Sequence, residues 1–286
     1  MGFLYSCRWT PVRATGTNGT MSGQIILLRR VALAAFCLFL SASGSFAAAA
    51  SGQKSRGLVV HTPCLESLHL VSNRAQSEMA RAEGALPKDV TLTTAADGVT
   101  TLRQQTCTRS GTLTVSVRPD ISLTIDDAGT TNITVADRTG PTFIHAGSGS
   151  LTLGKTGELG LFSDSSGPIT ISTLAESARI RSEQSAPVTI HTVAAPALAL
   201  YLGGSASFTA NTGQLKALEI TSSSTGDAVF HGVTDVGMFH VEQSGGISVD
   251  KVTGPLATER DGSGKIISDA AAPPPLTRAD RANVLP

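Results

Sequence analysis

Charge is scarce in this chain of 286 residues: 22 basic and 22 acidic side chains cancel, and together they are only 15% of the total. A balanced, sparsely charged chain carries no electrostatic footprint for nucleic acid or for an anionic membrane surface. Aromatic residues are 4%, with one Trp and two Tyr, which argues against a ligand platform built from stacked rings. The main apolar run, Val31 to Leu40, is too short for a permanent bilayer span. Four cysteines are present, none in a CxxC and none with His at ligand spacing, which disfavours a zinc knuckle. No catalytic or cofactor motif occurs, so no residue is assigned to catalysis, to a cofactor or to a metal.

What the chain does have is a repeat. Anchors at Ile133, Leu151, Ile169, Val188, Phe208, Ala228, Ile247 and Ile266 are separated by 18, 18, 19, 20, 20, 19 and 19 residues. Two positions on, the side chain is again mostly apolar, from Val135 and Leu153 to Phe230 and Val249, with a polar residue between. That alternation describes a short strand burying one face. A second column, eight residues before each anchor, runs Ile125, Phe143, Leu161, Ile180, Leu200, Ile220, Phe239, Thr258. A weaker one lies ten before, from Leu123 through Pro141 to Leu256. Five after, Leu174, Val193, Val233 and Val252 are expected to point inward beyond a corner. Small residues such as SDSSG and DGSG fill the corners, where glycine accepts tight turns.

Two strands and their corners in about twenty residues cannot close a core alone, but stacked copies can. The expected fold is therefore all-β, a parallel β-helix or β-solenoid of about eight short turns. An antiparallel sandwich gives no reason for columns to stay in register across eight copies. The density of Thr, Ser, Val, Ile and Gly, which favour strands and turns, argues against a helical repeat.

In chain order, residues 1–20 form an extra or untranslated extension. Residues 21–50 carry Arg29 and Arg30, a short apolar run and an Ala-rich end, the layout of a secretory signal peptide. This places the protein in the periplasm, on the cell surface or outside the cell. With that segment removed, Cys64 and Cys107 remain, and an even count outside the cytosol points to one disulfide. Residues 51–119 are read as an N-terminal β cap held by that bridge, with a short helix over Gln76 to Ala85. Residues 120–268 are the solenoid and 269–286 a Pro-rich disordered tail.

The strand-turn segment LTVSVRPDISLTI (Leu113 to Ile125), with GSGSLTL, SSGPITI and SGGISV after it, resembles the autotransporter adhesin head domain, or GIN domain, of bacterial envelope proteins. The resemblance covers about residues 58–268 and implies an exported β-solenoid with an adhesive role; it brings no catalytic residues.

One polar ladder follows from the register: His191, Asn211, His231 and Asp250 at the corner three residues after successive anchors, about 4.8 Å apart. It offers donors to a cation or a sugar, although a solvated corner explains it as well. Glycan lyases and hydrolases of β-helix type are the rival reading, but they need acids gathered on one face. Asp126 and Asp127 lie at one end, and Asp164, Asp227 and Asp250 fall in different turns. The expectation is therefore a non-enzyme, structural or adhesive, binding a surface, glycan or protein through an extended Ser/Thr-rich face. End-to-end self-association as a periplasmic scaffold is a further alternative, through an open edge near Ile266.

Overall fold

The computed structural model describes residues 56–270, and every regular element among them is a β-strand. The extension, the signal-peptide segment and residues 271–286 of the tail lie outside the described residues.

Alternating burial explains the strands. In β13 (Ala178–Ser182) the inward Ala178, Ile180 and Ser182 are buried while Arg179 and Arg181 face solvent. The chain lays such strands into two parallel columns. The first holds β7 (Ser122–Asp127), β9 (Thr142–Ala146), β11 (Leu159–Ser163), β13, β15 (Ala197–Gly204) and β17 (Gly213–Ser224), then the second half of β18 (Ala228–Val241), and β20 (Leu256–Arg260). The second holds β8 (Asn132–Val135), β10 (Leu151–Thr156), β12 (Ile169–Leu174), β14 (Pro187–Ala194), β16 (Ser207–Ala210), the first half of β18, β19 (Ile247–Val252) and β21 (Ile266–Ala270).

The anchor column is as the periodicity places it, each anchor paired with the next from Ile133↔Leu151 to Ile247↔Ile266. Leu151, Ile169, Val188, Phe208, Ala228 and Ile247 are buried, and each larger aliphatic removed from water contributes roughly 1.5–3 kcal/mol. The fold is thus the parallel β-solenoid of about eight turns.

Two inward positions differ from expectation. Ile144, not Phe143, stacks between Ile125 and Leu161, and Thr142, not Pro141, pairs with Leu123 and Leu159. The inward Ile144 stands seven residues before Leu151, where Ile125 and Leu161 stand eight before Ile133 and Ile169, so counting eight back from Leu151 slips the strand by one and exchanges its faces. Similarly, a bulge between Phe230 and Val233 puts Thr234 inside, against Val252, in place of Val233. Thr234 is fully buried because its hydroxyl donates to the Val236 carbonyl at 2.9 Å.

The N-terminal region departs further. β1 (Gly57–His61) and β2 (Leu65–Ser72) make one rung of the same two columns, and β5 (Val99–Gln104) and β6 (Ser110–Val117) make another. β1 lies between β5 and β7, and β2 between β6 and β8, all in parallel. The segment expected as a cap instead supplies two rungs whose spatial order is not their sequence order. Covering falls to β3 (Ala80–Ala82) and β4 (Val90–Thr94), which pair antiparallel with β6 and β5. The helix expected over Gln76 to Ala85 does not form; Gln76 uses its amide to bridge the Met79 and Ser116 carbonyls. Cys64 and Cys107 are joined as a disulfide, Cα–Cα 5.2 Å, stapling the corner of one rung to the corner of the other. Beside it Asp89 accepts from Gln104, Thr108 and Ser110; the Gln104 amide, chiefly, holds its carboxyl below the usual range.

At the far end the solenoid runs to Ala270, since Asp269 and Ala270 pair with β19. There Thr258, in an inward position, is exposed.

Candidate functional site

Strand alternation that buries one face of the first column presents the other to solvent. One outward row reads Thr124, Phe143, Gly160, Arg179, Ala199, Glu219, Met238, Ala257, each opposite the next. Two residues further along the strands a parallel row reads His145, Phe162, Arg181, Tyr201, Thr221, His240, Glu259.

The first row has a low centre. A Cβ on Gly160 would lie 2.8 Å from Cδ1 of Phe143, so the absent side chain is what lets the Phe143 ring lie down on the sheet. Ala197, Ala199 and Ala217 continue the shallow floor, and Val236 and Met238 rise beyond it. The result is an open concavity of about 910 Å³ across β7 to β18. Three of the four large apolar side chains most exposed among the described residues stand on it: Phe143 (50%), Met238 (46%) and Val236 (37%).

The second row is a stack of flat groups. His145 and Phe162 have ring centroids 5.0 Å apart at 41°, and the Arg181 guanidinium sits 4.3 Å from the Tyr201 centroid. Arg181 is also held by Glu183. Offset aromatic contacts and a cation over a ring contribute about 0.5–1.5 kcal/mol each. Phe208, Phe230 and Phe239 are buried; the three other described aromatic residues, Phe143, Phe162 and Tyr201, are all on this face. The scarcity of aromatics thus conceals their concentration. Counting from the anchors assigns Phe143 inward, which hides the pattern.

The same concavity collects Asp126, Glu158 and Glu219 around Arg179, Arg181 and His145. Acids and bases from separate turns therefore do share one face, although His145 is paired with Asp164 and Arg181 with Glu183 rather than with Glu158 or Glu219. Reading Asp residues alone misses Glu158, just before β11, and Glu219, in an outward position of β17. Asp126 is within 3.6 Å of His61, while the neighbouring Asp127 ends the strand with its carbonyl accepting from Thr62.

The corner ladder on the second column has the adjacency expected of it. Asn211 Nδ2 and His191 Nδ1 are 3.2 Å apart, as are His231 Nδ1 and Asp250 Oδ1. All four side chains are exposed, and exposed pairs of this kind contribute up to about 1 kcal/mol. It brings together two pairs rather than one four-membered site. Acid pairing is common here: of six histidines, His61, His145, His231 and His240 each face an Asp or Glu of another turn.

No helix among the described residues is long and apolar enough to cross a membrane. Comparison with protein-family models, with curated proteins and with solved structures returned no match for this chain, so the reading of its site rests on the geometry above.

Proposed function

We propose that this chain is an exported, non-catalytic β-solenoid of the bacterial cell envelope, structural or adhesive, that grips an extended partner through the outward face of its first column. The observation that carries the reading is the concentration of Phe143, Phe162, Tyr201 and Met238 with Arg179 and Arg181 on one face of a regular sheet. Apolar exposure gathered in one patch marks interaction surfaces, and Arg beside aromatics supplies anchors of the kind that dominate binding energy. This shifts the contact from the Ser/Thr-lined faces expected from the sequence to a face of rings and guanidiniums. The disulfide accords with an oxidising compartment, and the resemblance to the GIN domain accords with adhesion.

The test is pull-down of purified sacculi, outer-membrane vesicles and envelope glycans by the full chain, alongside fractionation of the native host. Phe143→Glu with Met238→Glu should reduce capture at least tenfold at an unchanged melting temperature, and changes at His191 and Asn211 should leave it intact. Equal capture by both variants overturns the assignment of this face.

A second reading, a glycan-acting lyase or hydrolase, is favoured by the shared position of Asp126, Glu158 and Glu219 with Arg179 and Arg181. It predicts release of new sugar ends from an acidic polysaccharide, abolished by Glu219→Gln. A scaffold that stacks end to end is favoured by β20 and β21, beyond which no strand pairs among the described residues. Light scattering that shows mass rising with concentration would support it.

A further inference from the structure

The last turns of the first column gather one imidazole and three carboxylates. His240 on β18 lies opposite Glu259 on β20. Its Nε2 is 3.1 Å from Asp261 Oδ2 at the following corner, and its Nδ1 is 3.6 Å from Glu242 Oε1. Ligand atoms of His240, Glu259 and Asp261 all lie within 4.8 Å of one another. Among the described residues no Lys or Arg nitrogen comes within 4.0 Å of these three carboxylates, so their charge is left without a fixed cation.

The geometry points to a zinc site: we propose that His240 Nε2, Glu259 and Asp261 bind one Zn²⁺, at residues to which the sequence alone assigns no metal. Three features support it. A tetrahedral zinc with bonds of about 2.0–2.1 Å sets its ligand atoms about 3.3 Å apart, close to the 3.1 Å between Nε2 and Oδ2. Glu242 stands on the other ring nitrogen, and its far oxygen accepts from the Ser223 hydroxyl. At 3.6 Å it is a near carboxylate rather than a hydrogen-bond partner of Nδ1; once Nε2 is a ligand, Nδ1 carries the ring proton and Glu242 is the acceptor nearest to it. Zinc takes Nε2 without a proton, so binding releases any proton there to water and replaces the Nε2–Asp261 contact with two metal bonds. The imidazole with carboxylates suits zinc better than calcium or magnesium, which prefer oxygen alone. The ion would tie β18 to β20, at the end where the core is least covered. The other cross-turn pairs, His145–Asp164 and His231–Asp250, belong to no such three-ligand group, so they serve as internal controls.

Calorimetric titration of ZnCl₂ into the metal-stripped full chain tests this directly. One equivalent should bind, and zinc should raise the melting temperature by mass action. Affinity should fall at least tenfold in His240→Ala and in Asp261→Asn, by about tenfold or more in Glu242→Gln, and stay unchanged in His231→Ala. Absence of saturable one-site binding overturns the proposal, as does zinc binding that survives both His240→Ala and Asp261→Asn. Calcium binding indifferent to His240→Ala, without zinc binding, also overturns it. Metal-free melting temperatures equal to wild type establish that the variants fold; should His240→Ala misfold, Asp261→Asn decides.

Discussion

The two ends of the described solenoid are finished in opposite ways. At the N-terminal end β3 and β4 run antiparallel to the outermost rung, and a disulfide joins that rung to the next. At the other end β20 and β21 stop with Thr258 and Ile267 exposed and no strand beyond them among the described residues. An open parallel edge is a template for further pairing; at the first end short antiparallel strands cover the parallel rung, and at the second the rung itself is the edge. What is covered in the middle by a turn on each side must be covered at the ends by different chemistry.

The sharpest way to break that comparison is to put the same charge in the middle and at the open end. Ile169, buried between Leu151 and Val188, becomes an unpaired buried carboxylate in Ile169→Asp, which should cost on the order of 5 kcal/mol and unfold the stack. Ile266→Asp, in the same column but with a neighbour on one side only, should cost about 1 kcal/mol because its carboxylate reaches water. Equal losses in thermal melts would show that the open end is covered in solution.

Next in size is the staple. Replacing both Cys64 and Cys107 by Ser opens a loop of 43 residues, with an expected loss of about 4 kcal/mol on chain-entropy grounds. Hydrogen exchange should accelerate in β5 and β6 before it does in β19 and β21; the reverse order would make the open end the weaker one.

A third change probes the corner where the two N-terminal rungs meet the repeat. Gly129 has φ +50° and its missing Cβ would strike the Pro63 carbonyl, so Gly129→Val should cost about 3 kcal/mol. The same swap at Gly111, where a Cβ meets nothing within 4 Å, should be close to neutral by denaturant melts.

The smallest effect concerns Arg138, buried near the same end, with its guanidinium donating to the Ile121 carbonyl at 2.5 Å. Burial lowers its pKa to about 10, opposed by the nearby Asp120. A base held below its unfolded value binds fewer protons when folded, so its burial penalty is complete below pH 10 and is relieved as pH rises beyond it. Arg138→Met should therefore gain about 1 kcal/mol at neutral pH, and the advantage should shrink above about pH 10. An advantage constant with pH would mean that packing, not charge, is responsible.

How far the sequence could be read follows from the same contrast. From Ile133 onward, consecutive turns in the chain are consecutive in space, so periodicity exposes the columns directly. At the N-terminal end Ser67 contacts Thr112, 45 residues away, and Asn132 contacts Glu66, 66 away. No fixed period can register such steps, although Leu68 and Leu70 carry the same inward alternation as Ile133 and Val135. The corner pairs at His191 and His231 were legible because they depend only on the anchor register. The ring-lined face was not, because a single-residue slip at Phe143 exchanges inside for outside. The cluster at His240 escaped for another reason: Asp261 sits in a corner, where period-2 alternation does not say which way a side chain turns.

The rung formed by β1 and β2 also sets the order in which the molecule can be assembled. Synthesis delivers these strands first, yet both of their neighbours in each column lie between Val99 and Val135. Until that later segment exists the leading strands have nothing to pair with, and closing so large a loop costs entropy before any contact repays it. The C-terminal turns face no such wait, since each finds its template already in place. The rung that is first in the chain therefore cannot complete its pairing until residues up to Val135 are present, whereas each turn after Leu151 finds one neighbour already made.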